Sequence, residues 1–197
     1  MPYENPYLQH QNLLKVCNAI QPLSDALQKA IVTQTKVIQV KRKTCLLNAG
    51  EKSDAIYFII SGAARVYYLD KEGAETTSWF LFENEFLISV YSFFTGEPSF
   101  EYLETIEDCT LIMLNRNTLN ELYLQYLEFN VIGRKLTEYY YIRNEKQAND
   151  LRMLTAKQRY QALLTSNPKL INRVSLGYIA SYLGITQETL SRIRKQI

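Results

Sequence analysis

Near the end of the chain, seven polar residues are spaced to do one kind of chemistry. Thr186, Gln187, Glu188, Ser191, Arg192, Arg194 and Lys195 lie within ten positions. At helical spacing, Leu190 and Ile193 fall on the opposite face. Such a set can bind phosphate oxygens through its cations and hydroxyls, and base edges through its amide and guanidinium groups. The preceding residues supply a scaffold. Leu176, Ile179, Ala180 and Leu183 mark one face of a short helix, and Gly184 ends it. Thr186 can cap the next helix, and Glu188 stands near that helix's positive end. Ala180 is small enough to let two helices cross closely. The pattern predicts a helix-turn-helix whose second helix enters the major groove of double-stranded DNA. An ordinary helical hairpin with a polar face is the alternative.

Charge is distributed to match. Residues 151–197 hold eight Lys or Arg and one acid, Glu188, for +7; the whole chain is +2, so residues 1–150 carry −5. An acidic body with a basic tail is the asymmetry that phosphate binding requires.

Other chemistries find little support. A chain of 197 residues with 47% hydrophobic content can bury a core. No apolar run approaches the ~18 residues of a membrane span, and MPYENPYLQHQNLLK has neither the basic nor the apolar part of a signal peptide. A cytoplasmic protein is expected. Cys17, Cys45 and Cys109 are far apart, which fits reduced thiols, and the single histidine, His10, argues against a metal centre. No nucleophile–base pairing is recognisable, so the chain is not expected to be an enzyme.

The elements before the basic tail change period twice. Leu8–Ile20 and a stretch from Ser24 or Asp25 through Ile31 read as helices. Strand-like segments follow from Val37, at Cys45–Leu47, Ile56–Ile60, Ala64–Leu69, Thr76–Phe82, Phe86–Ser89, Tyr102–Ile106 and Leu111–Leu114. Short strands with glycine turns suggest an antiparallel barrel or jelly roll. Aromatic residues, among them Trp79 and Phe86, gather where that barrel would hold a small molecule, either as pocket lining or as filled core. From about Leu119 to Leu151 the helical period resumes without a proline. Phe129, Ile132, Leu136 and Tyr140 form a stripe that predicts a two-fold homodimer seam, the alternative being a helix laid on its own barrel. Thr155 then caps a helix ending at Asn167-Pro168.

Through IYFIISGAARVYYLDKEGAE and YIASYLGITQETLSRIRK the chain resembles the Crp/Fnr family of bacterial transcription regulators. The resemblance implies an α+β fold. An N-terminal β jelly-roll sensor (a cupin-like double-stranded β-helix) would span residues 1–118. A long dimerisation helix would span 119–153, and an all-α helix-turn-helix domain 154–197. It also implies base reading by Gln187, Glu188 and Arg192, and RNA polymerase as a further partner. Two departures stand out. The chain stops too soon for the family's C-terminal wing. The family's nucleotide cassette carries Gly-Glu and Arg-Ser pairs, but here Ile88-Ser89 and Ser99-Phe100 stand in those places. Glu72 to Asn115 holds nine acids and no Lys or Arg, so a buried phosphate would go unpaired. No cofactor is therefore expected, and a cyclic nucleotide is not the expected ligand; an effector of another kind, or none, remains. Arg65, Trp79, Phe86, Ser89, Ser99 and Phe100 are the pocket candidates, with Arg65 also readable as a surface residue. The competing reading is a ligand-binding or protein-interaction module whose helix-turn-helix is non-functional.

Overall fold

The computed structural model describes residues 6–196. The N-terminal reading at residues 1–5 and the chain end at Ile197 lie outside the described residues. Helix α1 (Pro6–Ile20) begins on a proline, whose fixed φ suits a first helical turn. Helix α2 (Asp25–Gln34) is capped by Ser24, whose Oγ accepts the Leu27 N–H at 3.2 Å.

Eight strands follow: β1 (Lys36–Val40), β2 (Cys45–Leu47), β3 (Ala55–Ser61), β4 (Ala64–Leu69), β5 (Glu75–Leu81), β6 (Phe86–Leu87), β7 (Tyr102–Thr105) and β8 (Cys109–Asn115). They form two four-stranded antiparallel sheets, ordered β1-β8-β3-β6 and β2-β7-β4-β5. Ile59 and Leu111 of the first sheet pack with Val66 and Leu103 of the second, giving a closed apolar layer. The β3–β4 turn depends on Gly62, at φ +96°. A Cβ there would sit 2.5 Å from the Asp108 carbonyl and 2.7 Å from the Cys109 sulfur, so the hairpin closes on β8 only without a side chain. Between β6 and β7 the chain forms a short helix, α3 (Val90–Thr95), that the sequence reading missed. It ends at Gly96, whose φ of +76° stops the helix.

The long helix differs from expectation. It is two helices, α4 (Arg116–Gln125) and α5 (Leu127–Met153), divided at Tyr126, whose backbone is extended at φ −128°, ψ 107°. Gly133 explains how the two lie so close. A Cβ on it would fall 2.1 Å from the Tyr123 hydroxyl, so the ring of α4 rests directly on the backbone of α5. The predicted dimer stripe also needs correction. Phe129 and Ile132, 7% and 1% exposed, are inside the chain's own core with Phe58 and Ile112. Leu136 packs against the same cluster, and the Tyr140 hydroxyl accepts the Phe86 N–H at 2.9 Å. The stripe thus faces the chain's own core, where the apolar face of α5 packs with residues of β3 and β8.

Helix α6 (Ala156–Ser166) starts with a reciprocal capping box between Thr155 and Gln158. A single turn, α7 (Leu170–Arg173), leads to α8 (Leu176–Tyr182) and α9 (Gln187–Arg194). Among the described residues, no helix is long and apolar enough to cross a membrane.

Candidate functional site: an exposed basic helix, a docked helix and a cavity

Helix α9 owes its form to four residues between positions 184 and 193. Gly184, at φ +63°, turns the chain out of α8. Thr186 then caps α9, its Oγ1 accepting the Thr189 N–H at 3.2 Å. Leu190 and Ile193 are buried, joining Ile179, Ala180 and Leu183 in a small core. Consequently Thr186, Gln187, Glu188, Ser191, Arg192, Arg194 and Lys195 are all solvent-exposed. Arg192 is steadied by a hydrogen bond from its Nη2 to Thr189 Oγ1, 3.2 Å. Arg192 and Arg194 stand in the last turn, where the helix dipole favours cations.

Helix α8 is held quite differently. It lies on β5 of the second sheet. Ser181 Oγ donates to the Glu75 carbonyl at 2.6 Å and accepts the Thr77 N–H at 2.9 Å. Beside it lies Arg65, 1% exposed. Its guanidinium donates to Glu104 and to Glu75, each at 2.6 Å. The rings of Tyr67 and Tyr178 cover its two sides, 4.0 and 3.8 Å from the guanidinium carbon. Burial pulls the Arg65 pKa down, but the two carboxylates more than offset it and the guanidinium stays charged. The neighbouring Tyr67 hydroxyl is pushed up to about 12, first by burial and then by Glu104. A second arginine closes the contact. Arg173, next to α8, is bidentate to Glu83, at 2.7 and 2.8 Å, and binds Glu107 at 2.9 and 2.6 Å. Hydrogen bonding to Arg173 holds Glu83 below its usual range. Sequence reasoning missed both arginine sites. The available signal was the unbalanced acid of residues 72–115, which needs cations from elsewhere.

The third feature is a cavity of about 730 Å³ between the sheets and helices α1, α4 and α5. Trp79 and Phe86 line it, as expected from the sequence. The other four pocket candidates are elsewhere. Arg65 points to the opposite face of β4, since side chains alternate along a strand and its neighbours Val66 and Tyr68 take the cavity side. Nor is Arg65 a surface residue, because α8 covers it. Ser89 and Ser99 are buried and hydrogen-bonded to each other at 3.0 Å. Phe100 is exposed and packs on Tyr91.

Comparison with known proteins places this geometry. Residues 37–126 match the family of cyclic nucleotide-binding domains. No curated protein matches the sequence, but solved structures share the fold. The c-di-GMP responsive global regulator CLP of Xanthomonas campestris is 18% identical with a TM-score of 0.69, over 88% of this chain and 91% of that one. FixK2 of Bradyrhizobium japonicum is 21% identical with a TM-score of 0.70, over 82% and 83%. A transcriptional regulator of the Crp/Fnr family from Eubacterium rectale is 19% identical with a TM-score of 0.70, over 88% and 83%. The chain thus combines a cyclic nucleotide-binding-type domain with C-terminal helices, in the fold of Crp/Fnr regulators.

Proposed function

We propose that this chain is a sequence-specific DNA-binding transcription regulator of the Crp/Fnr type that acts as a homodimer. The carrying observation is α9: a capped helix with a buried inner face and seven exposed polar residues, three of them cationic. Its width suits a major groove, with Gln187, Glu188 and Arg192 towards base edges and Arg194 and Lys195 towards phosphates. The eight-stranded sandwich is read as a jelly-roll sensor, and α8–α9 as a helix-turn-helix.

We place the dimer seam on the flank of α5 next to the buried stripe, where Thr137, Tyr141 and Asn144 also border the cavity. Thr137, Tyr141, Asn144, Ala148 and Leu151 repeat at steps of four and three, the spacing of a two-stranded coiled coil. Tyr141 is 69% exposed, and Leu151 is also exposed. Two copies joined there would present two α9 helices to half-sites about one DNA turn apart.

The test begins with selection of bound duplexes from a random pool, followed by affinity measurement at ~100 mM salt. Arg192→Ala is expected to lose about 1–3 kcal/mol of discrimination at one base position. Equal affinity and specificity in the variant would remove Arg192 from base reading. Failure to enrich any sequence would favour the ligand-binding or protein-interaction module. Tyr141→Glu places like charges across the seam; light scattering should then report monomer, and DNA affinity should fall with it. A variant that stays dimeric disproves the seam.

A further inference from the structure

We propose that the 730 Å³ cavity binds an apolar small molecule whose polar end donates hydrogen bonds to Glu101, a cationic amine best of all, and that it rejects anionic ligands, cyclic nucleotides included. The size is that of a small-molecule site.

The wall fixes the occupant's charge. Among the described residues lining the cavity there is no Lys, Arg or His, and a single carboxylate, Glu101. Three arginines of the barrel and its helices are committed elsewhere. Arg143 pairs with Glu85 and stacks on the Trp79 ring at 4.8 Å. Arg116 donates to the carbonyls of Ser53 and Ser92. Arg65 is on the far face of β4 with its own two glutamates. A phosphate or carboxylate inside would therefore be desolvated without a partner and would face Glu101 as well.

The polar groups of the wall are neutral but for Glu101. The Tyr140 hydroxyl accepts from Phe86 and Thr137 donates to the Gly133 carbonyl, each keeping further hydrogen-bonding capacity, and Asn144 carries an uncharged amide. The Cys17 thiol is buried and held neutral, its pKa pushed up to about 12 by desolvation. Glu101 is different. Its Oε2 accepts one hydrogen bond, from the Tyr68 hydroxyl at 2.8 Å, while a carboxylate can accept about four. The capacity left over calls for a donor. Val90, Tyr91 and Phe94 line the cavity and are exposed, so α3 forms one part of its rim, and the exposed Tyr141 of α5 forms another.

Trp79, the one tryptophan of the chain, lines the cavity and reports on it. The probes are adamantylmethylamine, adamantylmethanol, adamantane carboxylate and cyclic AMP, each titrated into the full-length protein while tryptophan emission and melting temperature are followed. No DNA is needed, so the outcome is independent of the DNA-binding reading. The expected order is amine tighter than alcohol, with saturable emission change and raised melting temperature, and no saturation by the carboxylate or cyclic AMP. Glu101→Gln, a near-isosteric change, should weaken the amine about tenfold and leave the alcohol unchanged. The proposal is overturned if cyclic AMP or the carboxylate binds as tightly as the amine. It is also overturned if the amine's advantage survives in Glu101→Gln, or if no adamantyl probe saturates.

Discussion

Strand β4 has two faces that have been given opposite chemistry. Inward, Val66 and Tyr68 border a cavity without a cation. Outward, Arg65 is buried between two tyrosine rings and two glutamates, under a helix from the C-terminal part of the chain. A strand allows this because neighbouring side chains point to opposite sides. One residue step therefore separates a dry pocket from an ionic clamp. The comparison teaches that the site cannot be judged from the presence of an arginine in ARVYYL, only from the side of the sheet it takes. The same division assigns roles: one face is built to take something up, the other to hold α8 in place.

Three changes test how separate the faces are. The largest effect is expected from Arg65→Leu. It strands Glu104, which is mostly buried, and removes the cation from between two rings. Breaking such a pair should cost about 3 kcal/mol of stability by urea denaturation, with probe binding in the cavity unaffected in the folded fraction. A loss under about 1 kcal/mol would mean the clamp contributes no more than an ordinary surface pair. A smaller effect comes from acid. Arg173 lowers the folded-state pKa of Glu83 below its ordinary 4.5. The stability it confers is then fully present above about 4.5 and disappears as pH falls through the lower folded value. Wild type should exceed Glu83→Gln in stability at pH 6, and the gap should close below about 4.5. A gap independent of pH would show that charge is not what joins the two parts there. The smallest effect belongs to Tyr178→Phe. Its ring covers Arg65 and no hydrogen bond of its hydroxyl enters the clamp, so a change within about 0.5 kcal/mol is expected. A larger loss would show that the hydroxyl, not the ring face, carries the contact.

Much of the fold was readable because its signals are local. Thr155, Thr186 and Gly184 announce helix ends through their own side chains or φ, and the strands alternate around glycine turns. The outward set on α9 was readable for the same reason, as Leu190 and Ile193 fix which side is left. Long-range choices were not readable. The stripe Phe129–Tyr140 has the same spacing whether it faces a second copy or its own sheet, and only the placement of β3 and β8 decides. The break at Tyr126 leaves no proline or glycine at the joint; beside it Tyr123 settles on Gly133, ten residues on. Arg65 meets Glu104, 39 positions away, and Arg173 meets Glu107 and Glu83, 66 and 90 away, separations that no local sequence pattern signals.

The position of β5 has one more consequence. It is the last strand of its sheet, so half of its backbone polar groups have no neighbouring strand. Side chains stand in for one: Ser181 serves Glu75 and Thr77, and Gln147 donates to the Ser78 carbonyl at 2.7 Å. Lifting α8 away would uncover an open sheet edge, a template on which another chain can add a strand. Freedom of the C-terminal helices and resistance to self-association are thus tied together, and a variant that loosens the clamp should be the first to aggregate.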